Sequence, residues 1–136
     1  PGERRGGVGL RRKVRVLGDQ VRMTLSSDRA EVPPWGLHDG GPAATSRCVV
    51  TAPDGSELRL SSKVTTTILH DHVIVTETPG GGGHGDSALR DPQAVLADVV
   101  SGLVSIGRAR DVYRVAIDAE AMEVNTDQTT RLRTTT

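Results

Sequence analysis

Aromatic side chains are nearly absent from this chain: among its 136 residues there are one Trp, one Tyr and no Phe. The core must therefore be built from Val, Leu, Ile and Ala, each of which buries less surface than an aromatic ring does. The length allows one modest domain. We therefore expect a single domain of limited stability when it stands alone.

Net charge is absent as well, because 17 Lys and Arg residues balance 17 Asp and Glu residues. Proteins that bind nucleic acids or acidic membranes usually carry an excess of basic residues. Apolar runs are short, and none approaches the roughly 18 residues that a membrane-spanning helix requires. The composition thus predicts neither a nucleic-acid partner nor a membrane partner. Cysteine occurs once, at Cys48, which excludes an internal disulfide and makes a reducing cytoplasm the simplest location.

Glycine, by contrast, is abundant, with 16 residues, five of which fall within the six positions 80–85. Such a run is either a flexible linker or a place where bare backbone must come close to something else. Its flanks differ from those of a plain Gly/Ser linker. We favour close packing against other backbone, and we keep open a contact with a ligand or a partner subunit. This candidate site consists of Gly80, Gly81, Gly82, Gly83, His84, Gly85 and Asp86.

The spacing of Gly80, Gly82 and Gly85 matches the G-x-G-x-x-G fingerprint of dinucleotide-binding domains. That fingerprint requires a helix that begins at the third glycine and an acidic residue about 20 positions later. Here the next helix is predicted to begin near Pro92, and Ser105 occupies the later position. The context therefore excludes a dinucleotide site.

Alternating apolar residues predict strands before the glycine run. A Gly18-Asp19 link predicts a hairpin between the strands that precede and follow it. The triplet Pro53-Asp54-Gly55 predicts a second hairpin, and a third strand pair is expected to be joined at His70-Asp71. The segments paired in this way are residues 10–16 with 21–25, 47–51 with 57–60, and 63–69 with 72–78.

Helical spacing replaces the strand pattern after the glycine run. Asp91 can cap a helix that begins at Pro92, and Gly102 can end that helix. Ser105 can cap a second short helix, which continues through Tyr113. These signals predict two consecutive helices.

A last helix can begin at Asn125 or Thr126, but its Thr-rich end is expected to fray. The predicted fold is therefore α+β and mainly β: antiparallel strands and hairpins followed by a small C-terminal helical cap. We expect one domain, with a β-rich part at residues 1–86 that ends in the glycine loop and a helical cap at residues 87–136.

Histidines at positions 70 and 72 flank Asp71, and two histidines at this spacing on a strand can bind a metal ion. Because Asp71 is predicted to lie in the turn itself, a solvated turn is the better interpretation. We predict no metal site, and we assign no catalytic residue. His84 is the histidine of most interest, because the glycines on both sides leave it exposed.

Trp35 lies in a Pro-rich loop and either anchors that loop on the sheet or faces a partner. Anchoring is favoured, because large aromatic side chains are usually buried. Arg5 and Arg29 can contact a carboxylate or a phosphate, although most surface arginines have no specific partner. Together with Trp35 they form a possible interface.

Several motifs occur in an order that is more specific than any one of them. Thr-Pro-Gly-Gly-Gly-Gly-His-Gly-Asp at residues 78–86 is followed by Arg-Asp-Pro at 90–92 and Gly-Leu-Val-Ser at 102–105. Arg-Gly-Gly-Val-Gly-Leu-Arg at 5–11 and Pro-Pro-Trp-Gly-Leu at 33–37 come before it. From about Arg5 to Ile117 the chain resembles the C-terminal region of the hydantoinase B/oxoprolinase family.

This resemblance implies an ATP-dependent hydrolase that opens a hydantoin or lactam ring such as 5-oxoproline, and related members carboxylate ketones. It also implies a hydantoinase A-type ATP-binding partner, as a subunit or a fused domain, and a divalent metal bound upstream of this region. Family members are several times longer, and the chain begins at Pro1 without Met. We therefore expect a C-terminal fragment that binds no cofactor itself and is inactive when isolated.

The sequence departs from the family in three places. His70-Asp71-His72 replaces a commoner Pro-Gly-Asp, and His84 replaces a commoner Tyr, which keeps an aromatic donor. The tail after Met122 is Thr-rich rather than Ala-rich. None of these changes affects the glycines.

Two hypotheses follow. In the first, the glycine loop helps to form the active cleft of a cytoplasmic cyclic-amide hydrolase. In the second, the region is a non-catalytic assembly domain of that complex, or of a related ketone carboxylase, which packs through the loop and Trp35. The sequence distinguishes neither the substrate nor the hydrolase branch from the carboxylase branch.

Overall fold

The computed structural model describes residues 1–134, and these residues form two compact units that interleave along the chain. The sheet unit comprises Gly9–Pro34 and Ala44–Gly80. The glycine unit comprises Pro1–Val8, Trp35–Ala43 and the described chain from Gly81 onward. The chain therefore passes from one unit to the other inside the glycine run, and the division predicted at residue 86 stays a prediction.

The sheet unit contains strands that all pair antiparallel. One sheet has the strand order β1-β6-β3-β4, and a separate two-stranded sheet pairs β2 with β5. The strands are β1 (Arg11–Arg15), β2 (Gln20–Ser26), β3 (Arg47–Thr51), β4 (Glu57–Arg59), β5 (Lys63–Leu69) and β6 (Val73–Glu77).

Aliphatic side chains form the core of this unit, as the lack of aromatic residues predicts. Val16, Val50 and Ile68 are each 4% exposed and pack together, with Met23 and Ile74 against them. Cys48 is also buried, in agreement with its place on β3.

One of the three predicted hairpins is confirmed. Strands β3 and β4 pair as expected, and Gly55 in the turn has a φ of +87°, which glycine adopts without strain. The Asp54 carboxylate accepts hydrogen bonds from the hydroxyl and the backbone N–H of Ser56. The hydrogen bond from the Ser56 hydroxyl is the main reason that the pKa of Asp54 is lowered from its ordinary value.

The other two predicted hairpins are wrong. Strand β1 pairs with β6 rather than with β2, and β5 pairs with β2 rather than with β6. The two links hydrogen-bond to each other: His70 N donates to Asp19 O, and Asp71 N donates to Val16 O, both at 2.9 Å. Each strand–link–strand stretch thus lies beside the other, and pairing between distant segments replaces local pairing.

The glycine unit contains helices α1 (Pro92–Val100), α2 (Ile106–Tyr113) and α3 (Thr126–Thr134), a 3-10 helix at Ser87–Leu89, and the short strands β7 (Ile117–Asp118) and β8 (Glu123–Val124). Its core is formed by Val95, Val104, Ala109, Tyr113 and Val115. Burial raises the pKa of the Tyr113 hydroxyl. No helix in the described part of the chain is long and apolar enough to cross a membrane.

The predicted helix starts are confirmed. The Asp91 carboxylate accepts a hydrogen bond from Gln93 N at 2.8 Å, and the Ser105 hydroxyl accepts one from Arg108 N at 3.2 Å. Gly102, just beyond α1, has a φ of +71°, as expected for a glycine that ends a helix. These caps are local features, which explains why the sequence reveals them.

The last helix begins at Thr126, and the Asn125 side chain accepts a hydrogen bond from Gln128 N. In α3 the hydroxyls of Thr130 and Thr134 donate to carbonyls four residues earlier, both at 2.9 Å. The final residues, 135 and 136, lie outside the described chain, so the fraying of the tail stays a prediction. The strands and short helices together confirm a mainly β α+β fold.

Candidate functional site

The glycine segment, residues 81–85, pairs with two other segments of the same unit. These are the N-terminal segment, residues 1–7, and the tryptophan segment, residues 35–41, which also contact each other, because Gly41 N donates to Pro1 O at 2.8 Å. His84 is the central residue, because it is bridged to Arg4 in antiparallel fashion and to Leu37 in parallel fashion. Three segments that are distant in sequence thus form one layer of backbone.

Most of the backbone N–H groups of the glycine segment donate hydrogen bonds to carbonyl oxygens of the other two segments. On the N-terminal side, Arg4 and His84 exchange hydrogen bonds of 2.9 and 3.0 Å, and Gly81 N donates to Gly7 O at 2.9 Å. On the other side, Gly85 N donates to Leu37 O at 3.0 Å, and Gly83 N donates to Gly41 O at 2.9 Å. The N–H groups of residues 81, 83, 84 and 85 therefore already have partners within the chain.

The segments approach too closely for side chains. A Cβ atom built on Gly82 would lie 1.9 Å from the carbonyl oxygen of Trp35, and one built on Gly83 would lie 1.7 Å from that of Pro1. From Gly6 the corresponding distance to Gly81 O is 2.0 Å. Glycine permits such packing because its Cα hydrogens can face the carbonyl oxygens directly. The prediction that the glycine run packs against other backbone is confirmed.

Two imidazole rings lie on the exposed part of this layer. His84 is exposed, and its ring centroid lies 4.8 Å from that of His38, with the rings tilted by 57°. His38 and Asp39 both have positive φ angles, 48° and 67°, in a turn that precedes Gly40. His38 was not among the residues predicted from the sequence, where only the His-Asp-Gly-Gly turn pattern indicates it.

Asp86 has a local structural contact. Its carboxylate accepts a hydrogen bond from Ala88 N at 2.9 Å and so caps the short 3-10 helix. Gly85 before it has a φ of +77°, a conformation that favours glycine. Gly80 belongs to the sheet unit. The seven residues of the candidate site are thus divided between the two units.

The residues of the possible interface have different surroundings. Arg5 is half-buried, and its Nε donates to the Asp98 carboxylate at 3.0 Å. Arg29 is exposed in the sheet unit, has a φ of 62°, and its carbonyl accepts a hydrogen bond from Ser46 N. The structure brings Arg5 and Trp35 into the glycine unit, whereas Arg29 belongs to the sheet unit.

The expected anchoring of the Trp35 ring is wrong, because this residue is 64% exposed. Its backbone, rather than its ring, makes the close approach to Gly82. Leu37, two residues later, is 56% exposed. The tryptophan segment therefore presents two large apolar side chains at the surface of the glycine unit.

His70 and His72 lie in the sheet unit, around a turn in which Asp71 has a φ of 60°. The His70 Nδ1 is 3.2 Å from Gly18 O, and the His72 Nδ1 is 3.1 Å from His70 O. The interpretation of these residues as a turn is confirmed. Among residues 1–134 no group of three or more His, Cys, Asp or Glu side chains is arranged to hold a metal ion.

Comparison with known proteins places the chain in a family. The family model described as hydantoinase B/oxoprolinase matches residues 1–87. An uncharacterized protein of Methanocaldococcus jannaschii is 34% identical over 134 residues, which are 97% of this chain and 23% of that protein. One component of a putative D-/L-hydantoinase of Pseudomonas sp. strain NS671 is 30% identical over 135 residues, 98% of this chain and 22% of that protein.

A solved structure also matches nearly the whole of this chain. The ATP-dependent caprolactamase from Pseudomonas jessenii matches 97% of this chain and 23% of its own, with a TM-score of 0.80 and 29% identity. The chain belongs to the hydantoinase B/oxoprolinase family, as the resemblance predicts. It spans 22 to 23% of the length of these relatives.

Proposed function

We propose that this chain is part of a subunit of an ATP-dependent enzyme that opens cyclic amides of the hydantoin or 5-oxoproline type. The observation that carries the proposal is the match of 97% of the chain, at a TM-score of 0.80, to an enzyme named as an ATP-dependent caprolactamase. Caprolactam, hydantoin and 5-oxoproline share an amide within a ring. Resonance makes that amide unreactive, so a coupled source of free energy is chemically reasonable.

The partner in this proposal is an ATP-binding subunit or domain of the hydantoinase A type, and the location is the cytoplasm. ATP, when bound in the intact complex, would supply the phosphoryl group that activates the amide carbonyl. A divalent metal is part of the proposal for the complex, but the described residues do not fit one, so we assign no step through a metal to this chain. The chain by itself is expected to show no turnover.

The contribution of this chain is the glycine segment with its flanks, residues 80–86, placed beside the substrate or a neighbouring subunit. The N–H groups at 81, 83, 84 and 85 have internal partners, and the exposed His84 ring is the side chain of this segment that we propose acts on a substrate. Imidazole is the side chain that most often transfers protons in enzyme reactions. At a ring nitrogen of His84, a proton can be held for the amide nitrogen that leaves when the ring opens.

The reaction class is tested with the full-length protein and its ATP-binding partner, purified together. ADP release is measured with hydantoin, 5-oxoproline and caprolactam in turn, and separately with acetone plus bicarbonate. Stimulation by at least one cyclic amide, with an equal amount of ring-opened product, is expected. Stimulation by the ketone and bicarbonate alone would assign the protein to the carboxylase branch and refute the proposal.

The role of His84 is tested by two substitutions at that position. His84→Ala should lower kcat by about 10²-fold or more if the ring transfers a proton, whereas His84→Tyr keeps an aromatic donor and should retain more activity. His70→Ala, an exposed histidine of the sheet unit, is the matched control. An unchanged kcat in His84→Ala would remove this ring from the reaction.

Assembly is the second candidate function, and the exposure of Trp35 and Leu37 favours it. Exposed Trp residues are frequent hot spots of interfaces, and their loss commonly costs at least about 2 kcal/mol, or roughly 30-fold in affinity. Trp35→Ala should therefore weaken association with the partner, while Leu17→Ala, at a residue 77% exposed in the sheet unit, should not. Equal affinity of both variants would argue against an interface at Trp35.

A further inference from the structure

A buried carboxylate, that of Asp98, lies in the interior of the glycine unit. Asp98 is on α1 and is only 6% exposed. Its Oδ2 accepts hydrogen bonds from Arg5 Nε and from Arg90 Nη2, each at 3.0 Å. Two guanidinium groups thus converge on one carboxylate oxygen, and hydrogen bonds between ionised groups in such surroundings are strong.

The same two arginines also hold the backbone of the N-terminal segment. Arg90 Nη1 donates to Glu3 O at 3.1 Å, and Arg5 Nη1 donates to Gly6 O at 3.0 Å. These contacts fall on both sides of Arg4, the residue that exchanges two backbone hydrogen bonds with His84. The N-terminal segment is therefore held to α1 on one side and to the glycine segment on the other.

We infer that Asp98 is a positioning residue, which fixes the N-terminal segment through Arg5 and Arg90 and thereby sets the place of His84. Helix α1 is a rigid support for this, because Val95, one turn before Asp98, is fully buried in the core. The consequence for catalysis rests on the proposed function of His84, whereas the positioning of the backbone by Asp98 is independent of that function.

Removal of the charge at Asp98 would leave two partly buried guanidinium groups without their shared carboxylate, which disrupts such a cluster more than loss of a surface pair does. Asp98→Asn keeps the size of the side chain and removes the charge. The expected result is local: the pairing of Arg4 with His84 opens more often, while the sheet unit is unaffected.

Hydrogen exchange, followed by mass spectrometry on the full-length protein, measures this opening. In Asp98→Asn the amides of Arg4 and His84 should exchange at least about tenfold faster than in the wild type. Peptides that cover β2 and β5 should keep their rates. Asp111→Asn, the same change at an exposed carboxylate of α2, is the matched control and should leave every rate unchanged.

Unchanged exchange at Arg4 and His84 in a folded Asp98→Asn protein would overturn the inference. If Asp98→Asn does not fold, Arg5→Gln decides by the same criterion, because the Arg5 side chain is 27% exposed and the Arg90–Asp98 pair remains. Its expected acceleration is roughly threefold or more.

A kinetic comparison separates this inference from the proposed function. If both hold, Asp98→Asn lowers kcat with little change in KM, and Asp111→Asn changes neither. Faster exchange with an unchanged kcat would support the positioning of the segment by Asp98 and refute its consequence for catalysis, while the role of His84 itself is decided by His84→Ala.

Discussion

Alanine at position 83 is the most direct test of the backbone layer. A Cβ atom on Gly83 would lie 1.7 Å from the carbonyl oxygen of Pro1 and 2.4 Å from its carbonyl carbon. Both are backbone atoms, so no side-chain rotation can relieve the overlap and a whole segment must shift. Such overpacking costs about 2–3 kcal/mol. The shift also weakens the 2.9 Å bond from Gly83 N to Gly41 O, which is worth about 1 kcal/mol.

We therefore expect Gly83→Ala to lower the free energy of unfolding of the glycine unit by about 3–4 kcal/mol, a large part of the 5–15 kcal/mol typical of a domain. Denaturation by urea, followed by circular dichroism at 222 nm, measures this, because every helix of the described chain lies in the glycine unit. Gly81→Ala is the matched control, since its Cβ would meet nothing closer than Gly7 N at 3.4 Å.

The control variant should unfold within about 0.5 kcal/mol of the wild type, as substitutions without a steric conflict usually do. The reasoning is refuted if Gly83→Ala and Gly81→Ala have the same denaturation midpoint. Equal midpoints would mean that the three segments can separate at little cost, and that the glycines are not required for close approach.

Three further outcomes follow from local contacts. Asp91→Ala should lower the free energy of unfolding by about 1 kcal/mol, because α1 loses its cap, and Asp91→Asn should be nearly neutral; thermal unfolding compares them. Gly107→Ala should raise stability by about 0.5–1 kcal/mol, because the site is helical and a Cβ there meets nothing within 4 Å. Backbone N–H groups of Ala121 and Glu120 lower the pKa of Asp118 below 3.8. The contribution of the ionised Asp118 carboxylate to stability is present above pH 3.8 and is lost as the pH falls through its folded-state pKa. Between about pH 5 and pH 2, where carboxylates titrate, the free energy of unfolding of Asp118→Asn should therefore fall less than that of the wild type.

Features that depend on neighbouring residues could be predicted from the sequence. The caps at Asp91 and Ser105 and the turn at Gly55 each arise within a few residues of chain. In each case a side chain or a glycine satisfies a requirement of the adjacent backbone. The predicted helix starts and the β3–β4 hairpin were correct for this reason.

The choice of strand partner could not be predicted in the same way. Residues around Gly18 carry the pattern of a hairpin, yet β1 pairs with β6, about 60 residues away in sequence. Alternation of apolar and polar residues identifies the strands and the faces that point inward. It does not identify the partner, because more than one strand can pair with a given strand and keep the same face inward. Pairing of β1 with β6 and of β2 with β5 joins two long stretches over their whole length, which buries Val16 and Ile68 in one core.

The candidate site was predicted in part. The sequence indicated that the glycines pack closely, but it could not identify their neighbours, since residues 1–7 and 35–41 are distant from residues 81–85 in the chain. His38 joins His84 only through that packing. The exposure of Trp35 was predicted wrongly, because the usual burial of aromatic rings does not hold where the backbone makes the contact.

The abundance of glycine has a physical explanation in the glycine unit. Part of this unit is held together by backbone rather than by side chains: hydrogen bonds link three segments, and Cα hydrogens face carbonyl oxygens where a Cβ would overlap. Such a layer leaves its larger side chains outside, which is where Trp35, Leu37 and His84 lie. The same close packing that makes the glycines necessary thus also makes these three residues available to a substrate or a neighbouring subunit. Substitutions of the packed glycines should therefore lower stability, whereas substitutions of the exposed side chains should lower activity or association.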